Sequence, residues 1–332
     1  MNVFLPHDPD GLAPVALLLA AVFGAAFALA RLPATEWNRV PAWSAVIVGT
    51  ILADRITLDE PAGFRMLALI AALLIAMKGV VCVESRLAGQ PRLCVFAWFA
   101  FAIAWLGMRP VVFANVPGPA RPGTLDHLRK GTLFVAIGFA LAVCARWWSA
   151  QSGSIEALTD ARRHVGVAAM MVAFSLVVHF GLCELQAGWW RMLGADCRSL
   201  FRAPLRSTSL KEFWGSRWNV AFSEMTALAV YRPLKPFVGT SAAATAAFLF
   251  SGLLHEIAIS VPVRAGYGLP LAYFALHALA MRLESRHLAA TFHQRRWLGR
   301  IWTLAWIVLP LPLLFHPWFV QGVIVPLLGV AK

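Results

Sequence analysis

A histidine lies deep in an apolar stretch of this sequence, with small and polar neighbours at helical spacing. His255 falls within a hydrophobic run that we place at residues 237–261. An ionisable side chain at membrane depth is costly and is by default a candidate for function. Burial keeps an imidazole neutral, so His255 can accept a proton as a general base. Ser251 lies one helical turn before it, and Gly252 leaves room for a second backbone or a ligand.

The residue after His255 is Glu256, and the pair His-Glu also opens the zinc-protease motif. That motif needs a second histidine at position 259, which is Ile259 here. The clustered histidine boxes of a di-iron enzyme are missing as well, since His287 and His293 are six residues apart and isolated. We therefore predict a site without metal. Glu256 is expected to support the fold or to orient His255, and not to act as the base.

A second unusual segment, residues 207–219, is polar, basic and aromatic. Ser209 followed by Glu212 at the third helical position predicts a capping box at the start of a short helix. The aromatic residues would form an apolar or interfacial face of that helix. The segment ends in Arg217, Trp218 and Asn219. Arg217 can bind a phosphate or a lipid headgroup, and the amide of Asn219 can both donate to and accept from a carbonyl or hydroxyl group.

The other histidines and the cysteines have simpler interpretations. His179 and His277 also lie in apolar runs, where we interpret them as neutral side chains that link neighbouring helices. The five cysteines contain no C-x-x-C pair and lie mostly in apolar runs. We interpret them as buried thiols, not as metal ligands or disulfides.

The composition is that of an integral membrane protein. Of the 332 residues, 60% are hydrophobic and only 14% are charged, against about a quarter charged in a soluble domain. The net charge is +13, which in a soluble protein would suggest nucleic acid. Here the basic residues lie between apolar runs, so we expect them to set topology and to contact anionic lipid, not nucleic acid. A secondary interpretation is a docking surface for an anionic cosubstrate.

Hydrophobic runs predict an all-α, polytopic bundle of roughly eight to ten spans in one domain, residues 1–332. Segment 1–10 lacks the basic region of a cleaved signal peptide, so we keep the first run as a span. Run 41–53 is short enough to be tilted or re-entrant. Run 298–328 is interrupted by Pro310, Pro312 and Pro317 and is expected to kink or to divide into two half-helices. The remaining predicted spans are 12–30, 64–83, 93–108, 132–148, 165–183, 237–261 and 269–283.

Two groups of basic residues predict which loops face the cytoplasm. The first comprises Arg191, Arg198, Arg202, Arg206, Lys211, Arg217, Arg232 and Lys235, and the second comprises Arg282, Arg286, Arg295, Arg296 and Arg300. The loop 109–130 is also expected on this side. The loop 262–268 carries Arg264 as its one basic residue, and we predict that it faces the opposite side. The two helices that flank this loop then run out and back.

These motifs resemble the membrane-bound O-acyltransferase superfamily, and most closely its wax synthase-like branch. Residues 209–219 are similar to that branch's Ser-Leu-x-x-Phe-Trp-x-x-Arg-Trp-Asn signature, and residues 251–256 to its Ser-Gly-x-x-His-Glu signature. Each motif alone is weak. The two together, in this order and spacing within a polytopic chain, are fairly specific. The N-terminal half carries no matching motif.

The resemblance implies an acyl-CoA-dependent O-acyltransferase that esterifies a lipophilic alcohol. It implies a multi-helix bundle around a central tunnel, with His255 as the general base and Asn219 assisting it. Acyl-CoA would be a cosubstrate that enters from the cytoplasmic side, with no tightly bound cofactor, and the alcohol would enter from the bilayer. We predict that acyl-CoA binds to Arg206, Lys211, Trp214, Arg217 and Trp218. The protein would be a multi-pass protein of, we expect, a bacterial inner membrane.

Two alternatives stay open at the level of sequence. The chain is short for the superfamily, so the acceptor can instead be a terpenoid, polyketide or other small hydroxyl compound that is O-acetylated. A protein of another class, a proton-coupled transporter, would use His255, Glu256 and Glu184 as a proton relay. A transporter of that kind would be expected to have two related halves, and the sequence has no such internal repeat.

Overall fold

The computed structural model describes residues 3–151 and 160–329, and the described chain is helical. The longer helices of the N-terminal half are α1 (Leu12–Arg31), α2 (Arg39–Ile56), α3 (Ala62–Leu87), α4 (Val95–Ala104), α5 (Thr124–Ala150), α6 (Asp160–Ser175) and α7 (Cys183–Met192). The C-terminal half comprises α8 (Leu210–Glu212), α9 (Val220–Thr226), α10 (Arg232–Val263), α11 (Leu269–Leu283), α12 (Ala289–Gln294), α13 (Arg296–Val308), α14 (Leu311–Leu314) and α15 (Pro317–Phe319).

The prediction of a polytopic helical membrane bundle is confirmed. Within the described ranges, six helical stretches are long and apolar enough to cross a membrane: Pro9–Arg31, Ala62–Leu87, Thr124–Ala150, Arg162–Met192, Val220–Val263 and Arg296–Leu314. Two shorter apolar helices, Val95–Ala104 and Pro317–Leu328, add to them. The predicted spans 64–83 and 132–148 form longer helices than expected, Ala62–Leu87 and Thr124–Ala150. Run 93–108 forms the shorter helix Val95–Ala104, and the final run is divided at its prolines.

Helix α3 lies at the centre of the N-terminal half. It packs against α1, α2 and α10, and most of its side chains are buried, from Gly63 to Ser85. Run 41–53, which we expected to be tilted or re-entrant, lies within the helix α2. This helix packs along α3. Helix α5 packs against α6 and α7.

A fully buried lysine ties α3 to an irregular segment that follows α4. The Nζ of Lys78 donates to the carbonyl oxygens of Trp105, 2.8 Å away, and Gly107, 2.6 Å away. It also lies 3.8 Å from the centroid of the Phe101 ring. Non-helical backbone at membrane depth is tolerated when its polar groups are satisfied inside the protein. Lys78 supplies those hydrogen bonds, which the sequence alone did not reveal.

Two helices of the C-terminal half change direction where the sequence allows it. In α10 the backbone at Gly239 leaves the helical region, with φ 78° and ψ 169°, so the helix is two pieces joined by a kink. The proline-rich final run is broken as predicted: α13 ends at Val308, and α14 and α15 follow as short turns. The longer part of α10, after Gly239, packs against α11.

Gly252 explains why α10 and α11 approach so closely. A Cβ atom added to Gly252 would lie 2.9 Å from the Cβ of Phe274 and 3.1 Å from the Cδ1 of Leu271. Contacts below about 3 Å are excluded for real side chains, so glycine is required by the neighbouring helix. The close approach expected at this glycine is therefore made by α11.

Candidate active site

The polar segment before α9 is built around the predicted capping box. Ser209 precedes α8, and its Oγ accepts from the backbone N–H of Glu212 at 3.0 Å. The carboxylate of Glu212 reaches back to Thr208, whose N–H and Oγ1 donate to it at 2.7 and 3.1 Å. The return contact of the box thus goes to the residue before Ser209, a shift of one position from the expected pattern. The short helix is therefore closed at its start from both directions.

Arg217 is committed to this same local structure. Its Nε donates to Oε1 of Glu212 at 2.7 Å, and its Nη1 donates to the carbonyl oxygens of Arg202 and Ala203 at 3.1 and 3.4 Å. Partial burial raises the pKa of Glu212, but hydrogen bonds from Thr208 and Arg217 lower it more, and the net pKa lies below the ordinary value. The guanidinium thus joins the two ends of the segment 202–217.

Glu284 anchors the segment from the opposite side, a role that sequence reasoning missed. The carboxylate, 4% exposed, accepts from the backbone N–H of Leu210 at 2.8 Å and from the Nε1 of Trp302 at 3.2 Å. In the sequence Glu284 is one acid between Arg282 and Arg286, which we interpreted as topology signals. A negative side chain at a helix start satisfies free N–H groups, so Glu284 positions α8.

Asn219 occupies a turn that favours asparagine. Its φ of 42° and ψ of 63° lie in the left-handed region, which asparagine tolerates better than most side chains. The backbone on each side is tied down, because Arg202 N–H donates to Arg217 O at 2.7 Å and Val220 N–H donates to Leu200 O at 2.9 Å. Among the residues that the structure describes, the Asn219 amide has no hydrogen-bond partner. It is therefore available to a ligand.

His255 has one ring nitrogen bonded and the other free. Its Nδ1 is 2.7 Å from the carbonyl oxygen of Ser251. A carbonyl oxygen only accepts, so Nδ1 carries the proton, and in the neutral ring Nε2 is then an acceptor. The imidazole packs between the rings of Phe222 and Phe274, with centroid distances of 5.3 and 4.6 Å. The aromatic contacts and the Ser251 bond fix the ring's orientation.

His255 and Asn219 line one cavity of about 260 Å³. Three of the five residues predicted to bind acyl-CoA also line it: Lys211, Trp214 and Trp218. The other two do not. Arg206 is exposed on the surface, and Arg217 is held away by Glu212. Two π-helical turns contribute walls, Phe213–Arg217 and Ala227–Tyr231, and such turns occur often at functional sites.

Glu256 points away from this cavity, toward the start of α11. Its Oε1 accepts from the backbone N–H of Gly268 at 2.8 Å, and its Oε2 accepts from that of Leu271 at 3.2 Å. A carboxylate here satisfies free N–H groups at the positive end of a helix. Glu256 therefore holds α11 against α10, next to the ring of Phe274 that contacts His255.

The remaining intramembrane polar groups form separate pairs. The Nδ1 of His277 donates to the carbonyl oxygen of Tyr273 at 2.8 Å, and the ring contacts that of Trp214. His179 lies 3.1 Å from the Oγ of Ser175 and packs against the rings of Phe201 and Trp218. His277 lies on α11, and His179 lies on the π-helical turn Leu176–Leu182.

The proton relay of the transporter alternative, His255 with Glu256 and Glu184, does not assemble in this structure. Glu184 lies 2.5 Å from the Nδ1 of His127, on α5, and Glu256 is bound to the start of α11. His255 is bonded to Ser251 instead of to either acid. Within residues 3–151 and 160–329, no group of three histidine, cysteine or acidic side chains has the geometry to hold a metal ion.

Comparison with known proteins identifies the segment that carries this site. Residues 197–276 match the model of a family described as the membrane bound O-acyl transferase family. The chain is 32% identical over 137 residues to a probable long-chain-alcohol O-fatty-acyltransferase 6 of Arabidopsis thaliana, across 38% of this chain and 40% of that protein. It is 32% identical over 101 residues to a long-chain-alcohol O-fatty-acyltransferase of Simmondsia chinensis, across 28% and 29%.

The matched regions thus span less than half the length of each relative. Both relatives come from plants, so they give no support to the bacterial inner membrane expected from the sequence. The two motifs that suggested the family, at residues 209–219 and 251–256, both fall inside the matched range. Residues 197–276 are therefore similar to the membrane bound O-acyl transferase family, the family that the wax synthase-like motifs in this range suggested.

Proposed function

We propose that this protein is an acyl-CoA-dependent O-acyltransferase that esterifies a lipophilic alcohol. The observation that carries the proposal is the cavity shared by His255 and Asn219, which brings together an imidazole nitrogen and an amide that have no partner within the described chain. The relatives, named as long-chain-alcohol O-fatty-acyltransferases, support an alcohol as the acceptor.

In the proposed reaction, Nε2 of His255 takes the proton of the acceptor hydroxyl. The alcohol oxygen then attacks the carbonyl carbon of the thioester and forms a tetrahedral intermediate. When this collapses, the carbon–sulfur bond breaks and the thiolate of CoA leaves. The imidazolium returns its proton to that thiolate, so the ester and free CoA are released with the histidine neutral again. We propose direct transfer, because the His255 ring bonds to the backbone carbonyl of Ser251 and not to its hydroxyl, so this contact does not activate Ser251 as a nucleophile.

Asn219 would assist the reaction through its side-chain amide. Its amide N–H can donate to the oxygen that becomes negative in the tetrahedral intermediate, or it can orient the acceptor hydroxyl. A fixed backbone turn holds the amide, so little reorganisation is required when charge develops. This role needs a side chain with a donor at this position.

Acyl-CoA would enter the cavity from the side of the cavity that carries basic residues. Lys211 lies at the cavity wall and can contact a phosphate, while Trp214 and Trp218 supply apolar walls for the acyl chain. Arg206, on the surface, would contribute to the attraction of a polyanion at longer range. Arg217 would act through the fold of the segment, since Glu212 and two carbonyl groups already occupy it.

The orientation follows from the distribution of basic residues. The two basic groups defined above would face the cytoplasm, where CoA is found, and the loop 262–268 would face the other side. In α10, a kink at Gly239 interrupts the helix sixteen residues before His255. The thioester would still have to enter the protein to reach His255.

A smaller acceptor is the second candidate, and the cavity size favours it. A volume of about 260 Å³ is below the range of about 300–1,000 Å³ typical of pockets for drug-sized ligands. O-acetylation of a small hydroxyl compound would therefore use the same residues with a shorter donor.

In the experiment, purified protein is incubated with labelled acyl-CoA donors of increasing chain length. Each donor is combined with a panel of fatty alcohols and small hydroxyl compounds. Ester formation with long-chain donors and alcohols supports the first proposal, and ester formation confined to acetyl-CoA and small acceptors supports the second. Failure to form an ester with any pair would contradict both.

A further inference from the structure

A second cavity, larger than the first, lies beside it and is lined by cationic and polar side chains. Its volume is about 460 Å³. The residues that matter to its chemistry are Ser85, Gln90, Arg109, Glu224, Ala227 and Arg232, and we call it the arginine cavity. Ala227 also lines the cavity of His255, so the two cavities adjoin across the turn Ala227–Tyr231.

The donors of this cavity are largely unused. In the described part of the chain, the side chains of Ser85, Gln90 and Arg232 have no hydrogen-bond partner, although Ser85 is only 6% exposed. Arg109 has one partner, Glu224, at 3.5 Å, a distance long for a charge-assisted hydrogen bond. Ser85 is buried, whereas Gln90, Arg109 and Arg232 are exposed. A hydroxyl, an amide and two guanidinium groups around one cavity are suited to a ligand rich in hydrogen-bond acceptors.

The charge of the cavity selects an anion. Two arginines face one carboxylate, which leaves a net positive charge among the named residues. The last turn of α3 also lies here, and free carbonyls at that end would repel an anion. They are occupied, since Glu84 O accepts from Ala88 N–H and Ser85 O accepts from Gln90 N–H, each at 3.0 Å. The acceptors that would oppose an anion are thus already bonded.

We propose that the arginine cavity binds a phosphate group through Arg109 and Arg232, with Ser85 and Gln90 donating further hydrogen bonds. The planar guanidinium groups match phosphate oxygens in geometry as well as charge. Glu224 is the competitor for Arg109, and an arriving phosphate displaces it. Two sources present this chemistry: the nucleotide end of an acyl-CoA, and the headgroup of an anionic phospholipid.

The test measures binding, so its outcome does not depend on whether the protein transfers acyl groups. The protein is purified in an uncharged detergent, and adenosine 3′,5′-bisphosphate is titrated into it by calorimetry. In parallel, the protein is placed in nanodiscs of phosphatidylcholine with or without phosphatidylglycerol, and retention of labelled phosphatidylglycerol is measured. The variants are Arg109→Gln with Arg232→Gln, and Glu224→Gln. The matched control is Arg300→Gln, an exposed arginine on α13.

The double arginine variant is expected to weaken binding of one probe by about tenfold or more, through loss of charge-assisted hydrogen bonds. Glu224→Gln is expected to strengthen binding of the same probe, because it removes the competitor and a negative charge. Arg300→Gln should leave nucleotide binding unchanged, and its lipid retention sets the baseline for the loss of one surface arginine. The probe that responds identifies the source as nucleotide or lipid.

The double variant removes the Arg109–Glu224 pair, so a folding defect must be separated from a binding defect. The pair of substitutions Ser85→Ala and Gln90→Ala leaves both charges in place and should also weaken binding. The proposal is overturned if neither probe distinguishes the cavity variants from Arg300→Gln, or if Glu224→Gln weakens binding.

Discussion

The Nδ1 of His255 donates to the carbonyl oxygen of Ser251, one turn earlier on the same helix, at 2.7 Å. This single bond sets the tautomer, because a carbonyl oxygen cannot donate. It leaves Nε2 as the acceptor of the neutral ring. The bond also fixes the ring between two phenylalanines, so the base is positioned before a substrate arrives.

His255→Ala should lower the turnover number by about a hundred- to ten-thousand-fold, the usual loss for one positioned base. The rate of ester formation from labelled acyl-CoA measures it. The control is His293→Ala, which removes an exposed histidine on α12, and both proteins should show wild-type melting in detergent. Near-full activity of a folded His255→Ala protein would exclude the assignment.

Two substitutions at Asn219 distinguish the contribution of its side-chain amide from that of its backbone conformation. Asn219→Gly removes the amide while keeping the left-handed turn relaxed, whereas Asn219→Ala removes the amide and adds strain of about 1–2 kcal/mol. Both should reduce the turnover number more than they raise the Michaelis constant, because a transition-state contact is lost. The Ala variant alone should melt at a lower temperature. A Gly variant that retains full turnover would assign Asn219 a purely structural role.

Glu284 should affect stability and activity because it holds α8 in position. Glu284→Ala leaves the N–H of Leu210 and the Nε1 of Trp302 without an acceptor, at a cost of about 1–3 kcal/mol for each buried donor. Melting temperature and activity should both fall, and Glu284→Gln should restore part of each because it keeps one acceptor oxygen. The control is Glu36→Ala, whose side chain is 81% exposed. Equal behaviour of the Ala and Gln variants would contradict the anchoring role.

The carboxyl group of Glu212 makes a pH-dependent contribution to stability. Its pKa is lower in the folded chain than its ordinary value of 4.5, because hydrogen bonds from Thr208 and Arg217 outweigh burial. A depressed pKa stabilises the fold above the ordinary value, and that contribution is lost as pH falls through the folded pKa. The melting temperature of the wild type should therefore exceed that of Glu212→Gln at pH 6, and the difference should shrink below pH 4.5. A difference independent of pH would show that the charge is unimportant.

The orientation of the chain can be tested by labelling single cysteines in sealed vesicles. The exposed Cys94 and Cys144 must first be replaced. Tyr267→Cys is the better probe of the loop 262–268, because Tyr267 is 59% exposed and Arg264 occupies a left-handed turn. It should react from outside, and Arg206→Cys should react from the cytoplasmic side. The reverse pattern would overturn the orientation and the proposed CoA entrance together.

The sequence by itself indicated the membrane class, the family resemblance and the two segments that carry the candidate site. Apolar run length depends on composition alone, so polytopic helices follow from it. The capping signal at Ser209 and Glu212 is local, since its partners lie within one helical turn, and it was correct in all but the residue of the return contact. Proline likewise marked the break after Val308 through its own backbone limits.

The tertiary structure alone decided which polar groups meet. Lys78 bonds to carbonyls after α4, Glu284 to the start of α8 and Glu256 to the start of α11. It also placed His255 and Asn219 on the walls of one cavity. A hydrogen bond acts over about 3 Å, whereas these partners are mostly far apart in the chain. Spacing in a sequence carries no information about such distances until the helices pack.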